Sequence, residues 1–155
     1  MCELDELIKL KELHDELIAD GCHHFYIDQI GGPQSDDVEV LYPKDGNWHV
    51  SYVERGRKGP PMFSSANLDN AIQYYRKRVR GMRHAHLVLC TRSQETFATY
   101  KEVLEQHFIE TWRNDIRSFN ARDDLIYRLF VFGSDIFRVE ELDAGFPVID
   151  EDLQY

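Results

Sequence analysis

The chain lacks any run approaching the ~18 consecutive apolar residues of a membrane-spanning helix. The N-terminus opens on Glu3, Asp5 and Glu6 rather than on a basic region followed by an apolar one. No targeting segment is therefore expected, and a cytoplasmic protein is. Cysteine is scarce: Cys2, Cys22 and Cys90 are odd in number and widely spaced. Such a set excludes a disulfide framework and fits a reducing compartment. Bases are also in deficit, 18 against 28 acids, for a net charge of −10. A field of that sign repels phosphate, which argues against nucleic acid or an anionic membrane as a direct ligand.

Catalytic signatures are missing as well. The seven histidines include Cys22-His23-His24 and His84-Ala85-His86, but neither has the spaced pair-of-pairs of a structural zinc site, and no H-E-x-x-H occurs. There is no G-x-S-x-G elbow, and Gly31-Gly32 lacks the lysine and helix start of a phosphate loop. Asp36-Asp37, Asp123-Asp124 and Glu140-Glu141 are consecutive carboxylates, which diverge on a strand or a helix and do not share one acid/base site. No cofactor and no metal is expected.

What is present is enough apolar material for a core: 155 residues, 43% hydrophobic, with nine Phe, eight Tyr and two Trp. One α+β domain over residues 1–155 is expected, with a loose tail from about residue 143. Leu4, Leu7, Ile8, Leu10, Leu13, Leu17 and Ile18 recur at helical spacing over residues 3–20, and Gly21 is the stop. His24 to Ile30, Val38 to Tyr42 and Trp48 to Val53 read as strands separated by turn formers, which predicts a three-stranded antiparallel meander. Leu68, Ala71, Ile72, Tyr75 and Val79 form the apolar stripe of a second helix, capped by Ser65 or Asn67 and ended at Gly81. His86 to Thr91 is a short strand.

Glycine and proline are absent from Met82 through Phe132. Phe97, Tyr100, Leu104, Phe108, Trp112 and Phe119 mark a long helix starting near Ser93. Over residues 125–142, Phe130-Val131-Phe132, Gly133-Ser134-Asp135 and Ile136-Phe137-Arg138-Val139 favour a hairpin, although Leu125, Ile126, Leu129 and Phe130 also suit a helix. Trp48, Tyr52, Phe63, Leu68, Ile72, Tyr75 and Leu89 are expected in one core.

Charge is segregated along the chain: twelve acids and three bases in residues 1–53, two and nine in 54–92, fourteen and six in 93–155. Arg76, Arg80 and Arg83 share one side of the second helix, where they can pair with the acidic helix 3–20 or the acidic C-terminal part. Internal complementarity explains this basic stretch better than a nucleic-acid face does.

The stretch Trp48-His49-Val50-Ser51-Tyr52-Val53-Glu54-Arg55-Gly56, a charged loop, Phe63-Ser64-Ser65 and a helix bearing Tyr74-Tyr75 have a recognisable pattern, W-x-V-x-Y-x-E-R-G followed by F-x-S. It resembles the core of small bacterial immunity proteins, which neutralise polymorphic or contact-dependent toxins by binding them. The chain departs from that pattern after Ser65, where Ala66-Asn67 replaces the usual acidic residue. The resemblance implies a non-catalytic cytoplasmic protein whose acidic groups cover the basic cleft of a cognate toxin domain, a nuclease-type toxin fitting best. Loops carry recognition more often than packed faces. The toxin contact is thus expected at Asp36, Asp37, Glu39 and Asp45, with Glu140, Glu141 and Asp143 as the second candidate. Two rivals are a regulatory or dimerisation module without a toxin partner, and a small metal-dependent hydrolase built around His23, His49 or His86.

Overall fold

The computed structural model describes residues 3–33, 37–118, 125–142 and 144–154. It is the α+β chain that the patterning predicts, and its contacts gather into two compact units, Met1–His84 and Ala85–Tyr155, each with its own sheet and helices.

The first unit starts with helix α1 (Leu4–Ala19), whose residues Leu10, Leu13 and Leu17 are buried. It stops where expected: Gly21 takes φ 77°, and the N–H groups of Cys22 and Gly21 donate to the carbonyls of Leu17 and Ile18, both at 3.0 Å. Strands β1 (Phe25–Ile27), β2 (Asp37–Lys44), β3 (Asn47–Glu54) and β4 (Arg57–Lys58) lie in that order, and β5 (Phe63–Ser65) also pairs with β3. Helix α2 (Leu68–Arg80) buries Leu68, Ala71, Ile72, Tyr75 and Val79, the whole predicted stripe. The Asn67 side chain caps it by accepting from the Asn70 N–H at 3.1 Å.

The meander is corrected in one respect. Strands β2 and β3 are antiparallel, but β1 runs parallel to β2, with Phe25 opposite Glu39. After Ile27 the chain folds back on itself, Ile27 and Gly31 exchanging backbone hydrogen bonds at 2.9 and 2.7 Å, before it enters β2. A Cβ on Gly32 would collide with the carbonyl oxygen of Phe25, so only glycine permits that return. Tyr75 of α2 then fastens the parallel pair. Its hydroxyl accepts from the Tyr26 N–H at 3.0 Å and donates to the Glu39 carbonyl at 2.5 Å.

Trp48, Leu68, Ile72 and Tyr75 share one core with Leu10, Leu13 and Leu17, and Phe63 packs against it. Two expected members are elsewhere. Tyr52 is 42% exposed, two residues past the last β3 side chain in that core, Val50. Leu89 belongs to the core of the second unit.

The second unit contains β6 (Ala85–Thr91), α3 (Gln94–Gln106), β7 (Thr111–Arg113), β8 (Ile116–Arg117), β9 (Leu125–Phe132), α4 (Asp135–Glu141) and β10 (Val148–Ile149). The sheet order is β10-β6-β9-β7, with β8 also on β9. Val88, Leu89, Phe97, Leu104, Ile109, Tyr127, Leu129, Val131 and Val139 form its core. The predicted long helix begins on time, the Ser93 hydroxyl capping it, but stops at Gln106. Phe108 there adopts φ 57°, the left-handed conformation that closes a helix, and Trp112 falls in β7. Phe119 lies outside the described residues. The hairpin expected over 125–142 is half right: β9 is a strand, whereas 135–141 is helix α4. Ile136, Val139 and Leu142 recur every third residue and pack on the same core, a spacing a strand could not turn to one face.

Candidate functional site

Polar side chains inside the first unit are committed to structure. Glu39, 7% exposed, receives Arg78 Nε at 2.9 and 3.1 Å and Nη2 at 2.8 Å. The carboxylate holds the guanidinium more firmly protonated than usual, through its hydrogen bonds first and its charge second. Tyr42 Oη and Ser51 Oγ are 2.8 Å apart, and His49 Nδ1 is 2.6 Å from Ser64 Oγ. His84, 4% exposed, accepts from the His23 N–H at its Nδ1 (3.1 Å) and directs Nε2 at the Val79 carbonyl (2.7 Å). Its neighbours His23 and His24 have ring centroids 4.0 Å apart. Among the described residues no three His, Cys, Asp or Glu side chains are grouped to hold a metal ion, and every buried side-chain nitrogen or oxygen has a partner. Burial pushes the Cys22 and Cys90 thiols up, away from the reactive thiolate.

Arg76 and Arg80 pair with the acidic N-terminal segment as the charge pattern suggests, whereas Arg83 lies beyond the end of α2. Arg76 meets Glu16 at 2.6 Å, and Arg80 meets Asp20 at 2.7 Å and Glu16 at 3.3 Å. Arg78 is turned the other way, towards Glu39.

The expected contact residues are not brought together as one surface. Asp37 begins β2 at an exposed position opposite Glu54. Glu39 is corrected: it lies inside β2, buried beneath Arg78, and is no loop end. Glu39 falls within the strand expected from Val38 to Tyr42, and pairing opposite Tyr52 of β3 with Arg78 over its carboxylate buries it. Asp45 is at the exposed tip of the β2–β3 hairpin, with φ 52° ahead of Gly46 at 80°. Glu140 and Glu141 are exposed in the last turn of α4, in the second unit, instead of on a hairpin. Asp36 and Asp143 lie outside the described residues. Asp45, Glu140 and Glu141 make no ion pair among the described residues.

The charged loop after β3 opens with a second tight hairpin. Arg55 (φ 50°) and Gly56 (φ 78°) join β3 to β4. The signal was there: a two-residue loop ending in glycine between residues able to pair. Tyr52, Glu54, Arg55, Arg57, Lys58, Gly59 and Pro60 line an open cleft of about 860 Å³ at this turn.

No family model, no curated protein and no solved structure matches the chain. Among the described residues, no helix is long and apolar enough to cross a membrane.

Proposed function

We propose that the chain is a non-catalytic immunity protein that binds a cognate bacterial toxin domain in the cytoplasm and occludes it. One observation carries this reading: the stretch that resembles such proteins forms a single continuous substructure. Trp48 to Glu54 is strand β3, Arg55-Gly56 is its turn, Phe63 and Ser65 pair back onto Val50 and Trp48, and Tyr75 of the following helix is fully buried. The commitment of interior polar groups to structural bonds supports binding over turnover, since it leaves surface groups for another molecule. A basic toxin, of nuclease type, suits the charge of −10, which would accelerate capture. Asp45, Glu140 and Glu141 are the exposed acids through which that steering would act.

The test is co-expression with the product of the gene adjacent upstream, with co-purification and rescue of growth as readouts. A stable complex and rescue are expected. Reversing Asp45, Glu140 and Glu141 to Lys should slow association and flatten its salt dependence. Failure to bind or protect would remove the immunity reading. A dimerisation module is the second reading, favoured by Phe108 at 91%, Trp112 at 45% and Phe137 at 37% exposure. Concentration-dependent self-association without any toxin complex would select it.

A further inference from the structure

The first sheet has two tight hairpins of the same backbone form and opposite charge. Both have two central residues at positive φ, Asp45-Gly46 at 52° and 80° and Arg55-Gly56 at 50° and 78°. Such turns favour Asn, Asp or Gly at the first central position, because a longer side chain there meets the steric penalty of the left-handed region. Asp45 meets the preference and Arg55 violates it. Nothing in the fold compensates: among the described residues the Arg55 side chain makes no hydrogen bond or ion pair, and it is exposed. A strained residue without a structural return points to use by another molecule.

Its neighbours say which kind. Arg57 is likewise exposed and makes no ion pair among the described residues, and Lys58 sits with Nζ 3.9 Å from the centre of the Tyr42 ring. In a chain of charge −10, where Arg76, Arg78, Arg80, Arg92, Arg113 and Arg138 are each paired with a carboxylate, three cations stand together that make no ion pair among the described residues, with Glu54 opposite Arg57 in the same cleft. They rim the 860 Å³ cleft together with the half-exposed Tyr52 and Pro60.

We propose that the β3–β4 turn is a docking site for an acidic, extended segment of a protein partner, held by Arg55, Arg57 and Lys58 beside the ring of Tyr52, whose hydroxyl is bonded to Asp37. Arginine forks match carboxylates two bonds at a time. The Glu54 carboxylate in the same cleft selects a peptide over a nucleic acid, because a peptide backbone offers it N–H donors whereas a phosphodiester backbone offers none. The chain's negative field, moreover, opposes a nucleic acid, with its charge on every nucleotide, more strongly than a peptide of a few carboxylates. Its residues are not those of the proposed immunity contact, and its test needs no toxin.

The full chain would be titrated with a short capped peptide of alternating Glu and Ala, at about 50 mM salt to limit screening, following backbone amides by NMR. Shifts confined to residues 52–60 are expected. Arg55→Asn should weaken binding roughly two- to fivefold, the size of one exposed ion pair, while the melting temperature stays level or rises because Asn suits the turn. Arg57→Glu should abolish the shifts without unfolding. Absent or scattered shifts would overturn the proposal. So would tighter binding of an oligothymidylate of equal charge, or an Arg55→Asn variant that melts earlier and binds unchanged.

Discussion

Helices α1 and α3 end in the same hydrogen-bond pattern with different residues at its left-handed position. In α1 this is Gly21; in α3 it is Phe108, whose N–H donates to the Glu105 carbonyl at 3.0 Å while the Ile109 N–H donates to Leu104 at 3.1 Å. The apolar contact that usually accompanies this motif is present too, since Leu104 and Ile109 are both buried in the second core. A side chain in the left-handed region costs about 1–2 kcal/mol, and the Phe108 ring, 91% exposed, recovers little by packing. Phe108→Gly should therefore stabilise the protein by about 1 kcal/mol in chemical denaturation, the gain trimmed by glycine's greater freedom when unfolded. A fall in stability would mean that the ring contributes contacts its exposure does not suggest. The same residue explains why the helix appeared longer in the sequence: the stop is made by geometry, with no glycine to announce it.

Among the elements, the parallel pairing of β1 with β2 depends on one hydroxyl. Burial raises the Tyr75 pKa above its ordinary value of 10.0, by more than the Tyr26 hydrogen bond lowers it. The folded state thus binds the Tyr75 proton more tightly than the unfolded state does. Its contribution is complete below pH 10 and is lost as pH rises beyond that. Tyr75→Phe leaves the Tyr26 N–H without its acceptor and should cost about 1–3 kcal/mol at neutral pH. The gap between variant and native protein should narrow above pH 10 in urea titrations; a constant gap would show that Tyr75 ionises freely in the fold. Helices α1 and α2 were legible because a 3.6-residue stripe, Gly21 and Asn67 all agree. The direction of β1 was not, because Tyr75 acts from 49 residues away and the Gly31-Gly32 return looks like an ordinary hairpin connection. Strand β9 was legible through Phe130-Val131-Phe132, whereas α4 has only seven residues, too short for a strong period. Of the candidate site, the exposed tip at Asp45 followed from Asp-Gly chemistry. Burial of Glu39 did not, since its partner Arg78 is distant in sequence.

On the scale of the whole chain, Trp48 and Leu89 fall in different cores. Alternation along a strand says which residues face inward but not which core they face. Trp48→Ala should cost roughly 3–5 kcal/mol through the cavity it leaves. Hydrogen exchange should quicken in β2, β3 and α2 while amides of β6 and β9 keep their native protection, as expected when stability is held in separate cooperative units. Equal acceleration throughout would show that the units open together. The Tyr75 hydroxyl also sets an order of events during synthesis. A chain made from its N-terminus exposes β1 long before the helix whose side chain seats it. Phe25 and Ile27, both fully buried at the end, must wait in the nascent chain until α2 has emerged, so the first strand of the unit is seated only when its last helix is made.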